Sequence, residues 1–167
     1  MKSFQRECLF VMAFILAGLT PGFASAQSIS IHEVQTMTFP TLATAAGGGN
    51  VTVTLNPLNS ATSGSGQIIG GMASRGQYAL SLTSGGTPVS ISLDISGVST
   101  GNAGLTLDAF RGFYKGQTIS SFPSSTLPLP ATSPSNTPLY LGATVTALPS
   151  VTPGTYSASF SITVFVQ

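Results

Sequence analysis

The residues able to do acid–base, nucleophilic or metal chemistry are few and scattered. His32 is the single histidine. A metal site around it would need Glu33, Asp94 and Asp108, and their spacing matches no ligand pattern. Glu33 is its chain neighbour; Asp94 and Asp108 read as solvated charges at strand ends. A serine nucleophile needs a base and a sharp Gly-x-Ser-x-Gly turn, and no serine has those flanks. Gly47-Gly48-Gly49 leads into a strand pattern at Val51. A phosphate cradle runs the other way, from strand through glycines to helix. Arg111-Gly-Phe-Tyr-Lys115 mixes basic and aromatic side chains. It suits either contact with a sugar or partner, or a strand end whose basic side chains reach along apolar surface into water. Asn50-Val-Thr52 has the form of a glycosylation sequon, a match that carries little weight by itself. No acid–base pair can be assembled, so the expectation is a protein that is not an enzyme, with no cofactor and no metal.

The elements that must position any site begin after a leader. Lys2 and Arg6 precede an apolar run from Leu9 to Leu19, followed by Ala24-Ser25-Ala26. As a helix that run rises about 16 Å, roughly half of the ~30 Å hydrocarbon core. This is the pattern of a secretory signal cleaved after Ala26, leaving 141 of 167 residues as a single domain, 27–167. The expected route is export to the periplasm, then the cell surface or the medium. Cys8, the lone cysteine, precedes the apolar run and leaves with the signal, so stability must come from packing and hydrogen bonds.

Beyond Ala26 the charged residues are Glu33, Asp94, Asp108, Arg75, Arg111 and Lys115, which cancel. Charges normally make up about a quarter of a chain. Without a basic stripe a nucleic-acid partner is not expected. A near-neutral surface of Ser, Thr, Gly, Asn and Gln favours association. It suits a subunit that packs against copies of itself, and equally a partnerless Ser/Thr-rich secreted domain.

Period-two alternation recurs. Apolar residues alternate with hydroxyl or other small side chains in Ser28–His32, Met37–Phe39, Val51–Leu55, Tyr78–Leu82, Val89–Ile95, Leu105–Ala109 and Leu139–Ala147, with a short strand at Gln67–Ile69. Gly, Pro and Ser/Thr turns lie between, including Gly85-Gly86. No window past Ala26 carries an apolar stripe of helical period. The pattern predicts an all-β antiparallel sandwich of about 8–9 strands. Residues 116–138, rich in proline, read as a long surface excursion, because proline cannot donate to a ladder. The last fourteen residues, Gly154–Gln167, predict one long strand with Tyr156, Ala158, Phe160, Ile162, Val164 and Val166 on its apolar face. Such a terminal strand can pair with another chain through its backbone.

Six stretches carry a family resemblance: Ile29-Ser-Ile31, Met37-Thr-Phe39, Gly47-Gly-Gly-Asn-Val-Thr-Val-Thr-Leu55, Gln77-Tyr-Ala-Leu-Ser-Leu82, Leu139-Tyr-Leu-Gly-Ala-Thr-Val145 and Pro153-Gly-Thr-Tyr-Ser-Ala-Ser-Phe160. In order, they resemble the bacterial secreted family filed as domain of unknown function 4402, whose members look fimbrial. Pro40 stands where that family usually has glycine. The C-terminal strand is similar to that of chaperone–usher pilins, with Gly154 fourteenth from the end; there the penultimate residue is aromatic, and here it is Val166. The resemblance implies an immunoglobulin-like, pilin-like sandwich completed by a neighbour's strand. Residues 27–34 would be the donor, with Ile29 and Ile31 as inserted knobs, and Gly154, Tyr156, Phe160, Ile162, Val164 and Val166 the assembly face. Partners would be copies of itself or related subunits, with a periplasmic chaperone and an outer-membrane usher. The same first strand could instead complete its own domain. Two functions therefore stand open: a filament subunit, or a self-complete secreted binding module for carbohydrate or a surface, using Phe113, Tyr114 and Phe122.

Overall fold

The computed structural model describes residues 28–43, 48–65, 67–82, 87–130 and 138–167. The leader of residues 1–26, Gln27, Gly47, the Gly85-Gly86 turn and Ser133-Pro134 lie outside the described residues. Among the described residues there are twelve strands: β1 (Ile29–Gln35), β2 (Thr41–Ala43), β3 (Val51–Leu55), β4 (Thr62–Gly64), β5 (Gln67–Gly70), β6 (Gly76–Leu82), β7 (Val89–Ser99), β8 (Leu105–Tyr114), β9 (Gln117–Ile119), β10 (Leu127–Leu129), β11 (Pro138–Ala147) and β12 (Ser159–Val166). No described helix is long and apolar enough to cross a membrane.

The alternation does its work strand by strand. In β3, Val51, Val53 and Leu55 are buried while Thr52 and Thr54 turn the other way. Their hydroxyls face Thr146 and Thr144 of β11 at 3.5 and 2.9 Å, a cross-strand hydroxyl ladder. β11 is the centre of a seven-stranded sheet. Along one edge it pairs with β6 through Pro138–Leu141 and with β3 through Thr144–Ala147. Along the other it pairs with β8 from Tyr140 to Ala147. β1 lies outside β6, β4 outside β3 and β9 outside β8. A second sheet has the order β10-β7-β12, and β2 with β5 forms a separate ribbon. All the pairings are antiparallel.

The main core is the layer between the two larger sheets. Leu80, Leu139, Leu141 and Tyr114 meet Ile91, Leu93, Leu127 and Leu129 there. Gly142 shows how closely β11 and β3 approach. A Cβ on it would sit 2.0 Å from the Leu55 carbonyl oxygen. The chain is an all-β sandwich, as its alternation predicts.

Three expectations are corrected, and between the two readings of Arg111–Lys115 the structure has the strand end. Residues 116–130, the described part of the stretch read as a surface excursion up to 138, are not one. They hold β9 and β10, and Ile119, Leu127 and Leu129 are buried. Pro128 is tolerated because β10 is an edge strand and the proline points outward, exposed between two buried leucines. Met37–Phe39 forms no strand; a single bridge joins Thr38 to Ser74. For Arg111–Lys115 the strand-end reading holds, with Arg111–Tyr114 closing β8 and Lys115 just past it. Tyr114 is wholly buried, and Lys115-Gly116 makes the tight turn into β9 with φ of 47° and 81°. The terminal strand begins at Ser159, because β7, its partner, ends at Ser99. Gly154–Ala158 are therefore not in a strand.

Candidate functional site

β12 has the same alternation as the other strands but a ladder on one edge only. It pairs with β7 from Ser159↔Ser99 to Val166↔Ile91, and its other edge faces no described strand. The opposite edge of β7 is covered by β10 only at Val89–Ile91. The smaller sheet is thus just β7 and β12 wide toward Ser99. There the two sheets leave a cleft of about 1150 Å³ between them.

One wall of the cleft comes from the ends of β8 and β11: Leu105, Leu107, Val145 and Ala147. Ile31 and Glu33 of β1 and Tyr78 of β6 form another. Phe160 and Ile162 of β12, with the unpaired segment 148–158, form a third. Met37, Phe39, Leu42 and Ile69 close the rim. Phe160 anchors the cleft to both layers. Its ring lies 5.1 Å from that of Phe110 and 6.4 Å, edge-on, from that of Tyr78.

The lining is largely apolar. Glu33 is the one charged side chain in it, and its Oε1 accepts a hydrogen bond from the Thr36 hydroxyl at 2.5 Å. The Tyr78 hydroxyl is pushed up to about 12, first by burial and then by the negative charge of Glu33. Among the described lining residues Glu33 has the Thr36 hydroxyl beside it and no histidine, lysine, arginine or cysteine. The cleft's chemistry is shape, apolar area and the unused backbone groups of one strand edge.

The cleft gathers some of the expected assembly residues and not others. Ile31, Gly154, Tyr156, Phe160 and Ile162 line it. Ile29 and Val164 instead pack, half-buried, on the main core, and Val166 is exposed. Tyr156 lies in the unpaired segment, where its hydroxyl bonds to the Thr152 carbonyl. Ile29 and Ile31 are paired within their own chain, opposite Leu82 and Leu80 of β6. Phe113 and Phe122 are half-buried and Tyr114 is fully buried, so they form no exposed aromatic platform. His32 is exposed on β1. Asp94 and Asp108 belong to different sheets. Among the described residues no group of three or more His, Cys, Asp or Glu could hold a metal ion.

Met37, Phe39 and Ile69 were legible as strand pattern but not as rim residues, because only the chain's path brings them to the cleft. Leu105, Leu107, Val145 and Ala147 were legible as strand residues but not as cleft residues.

Fold and cleft together define an all-β sandwich domain with one open intersheet groove beside an unpaired strand edge. Residues 29–165 match the family described as Domain of unknown function (DUF4402), and the chain belongs to that family. No curated protein and no solved structure matches it.

Proposed function

We propose that this protein is a structural subunit of a bacterial surface filament, assembled by β-strand complementation. The carrying observation is the free edge of β12 beside an open apolar cleft. Strand order supports the proposal. The run β1-β6-β11-β8 in one layer and the pair β7-β12 in the other are the neighbours that A-B-E-D and C-F would have in an immunoglobulin-like sandwich, with β3, β4 and β10 as additions. In that order a last strand would lie beyond β12, and no described strand occupies the place. An incoming strand would gain a ladder on β12 and bury apolar side chains in the cleft.

The donor is the N-terminal strand of another copy or a related subunit, residues 27–34, with Ile29 and Ile31 as knobs. In the single chain that strand lies on β6, so exchange opens one edge ladder and forms another. The leader implies export, and a periplasmic chaperone and outer-membrane usher would hold the open edge until assembly. The scarcity of charge lets copies approach without repulsion, and offers nothing to nucleic acid.

A second function, a self-complete secreted binding module, is favoured by one observation: β1 is already paired with β6 from Ile29 to Gln35. The cleft would then hold an apolar ligand.

Size-exclusion chromatography with light scattering, and negative-stain microscopy, separate the two. Chains starting at Gln27 and at Thr36 are compared. Polymers that vanish on truncation support the filament subunit. A monomer at every concentration that unfolds on truncation sinks it and leaves the binding module.

A further inference from the structure

The cleft is not centred on β12. Of the residues that continue the alternation, Tyr156, Ala158, Phe160 and Ile162 line it, whereas Val164 and Val166 do not. Its middle is the join between β12 and the unpaired segment before it. That segment, Gly154–Ala158, keeps the strand pattern but has no strand to pair with, because β7 stops opposite Ser159. Among the described residues its backbone makes no hydrogen bond, and all five residues are exposed. Five residues in phase with a strand yet unbonded on both edges are a local conflict between sequence and structure, and such conflicts gather where a partner is missing.

Resting on the function proposed above, we infer that Gly154–Ala158 is the part of the acceptor edge that becomes strand only on docking, when the N-terminal strand of a second copy enters the cleft and pairs from Tyr156 to Ile162. Glu33 is the sole charge among the described lining residues, and the tip that would enter, Ile29-Ser-Ile31, carries none, so the apolar part of the strand meets apolar lining while its own Glu33 stays clear of the cleft. The first strand, Ile29-Ser-Ile31, has the same two-residue apolar spacing as the wall it would meet. The hydroxyl of Tyr156 would leave Thr152 as the segment straightens. Docking therefore couples to folding of a short segment, and the edge offered by the lone subunit is shorter than the edge used in the assembly.

The test is hydrogen exchange on full-length protein expressed and processed in a bacterium, with monomeric and assembled fractions compared. In the monomer, amides 154–158 exchange at the earliest time point. In assemblies of this chain alone they are expected to slow by about an order of magnitude or more. Ser157→Pro and Ala158→Pro form the second arm. Proline suits an unpaired extended chain but removes a ladder donor. At least one of the two should cut the assembled fraction tenfold or more while leaving the monomer's melting temperature unchanged.

Assemblies in which 154–158 exchange as fast as in the monomer, and which both proline variants still form, overturn this inference alone. Protection seen only in a fraction holding a different protein overturns the second copy as occupant. A chain that never assembles overturns both this inference and the filament subunit.

Discussion

At the scale of single residues, three positions carry most of the local consequence. The Leu93 amide donates to the buried Ser124 hydroxyl at 2.9 Å, and the Ser124 amide donates to the Leu93 carbonyl at 2.7 Å. Ser124 thus does for β7 what one more residue of β10 would do. Ser124→Ala leaves a buried donor unmet and should cost about 1–3 kcal/mol in denaturant melts. Gly142→Ala should cost about as much or more, because the obstacle is the backbone of β3, which cannot swing aside. The third position concerns pH. Tyr78 and Tyr114 both have ionisation pushed up to about 12, by burial in each and also by Glu33 for Tyr78. The folded chain then holds two protons that an unfolded chain sheds near pH 10. Stability should be level up to about pH 10 and fall from there to about 12. Absorbance titration should show Tyr78 and Tyr114 ionising late. Glu33→Gln should bring Tyr78 down only in part, since burial is the larger cause.

At the scale of elements, legibility followed the length of the alternation. β3, β6, β7 and β11 each have apolar residues at every second position, and the first strand was evident from Ile29 and Ile31. β9 and β10 were not. Proline argued against a ladder, and three-residue strands give period two almost nothing to act on. The signal was there in Leu127-Pro-Leu129: apolar, proline, apolar, with the proline where an edge strand can carry it. A direct check follows. Leu129→Ala should cost about 2–5 kcal/mol as a core truncation. Pro128→Ala should stay within about 0.5 kcal/mol, as an exposed change. The start of β12 was misplaced for a different reason. Alternation records which face of the chain is apolar, not whether a neighbouring strand reaches far enough to pair. The cleft was the least legible feature, since its walls come from chain stretches brought together only by topology.

At the scale of the whole molecule, β12 and β1 are the outer strands of two different sheets, and neither carries proline. Ser159–Val166 has no charged residue to discourage an edge-to-edge partner. Thr163→Lys adds one on an exposed position. It should leave monomer stability within about 0.5 kcal/mol and reduce assembly sharply in light scattering. The same architecture sets a timetable for folding. β3, β6 and β8 are all held by β11, which follows all three in the chain. A nascent chain that ends before Pro138 has made three flanking strands and lacks the one that joins them. Its apolar faces stay open until Pro138–Ala147 has emerged, and the sheet closes only when that strand arrives.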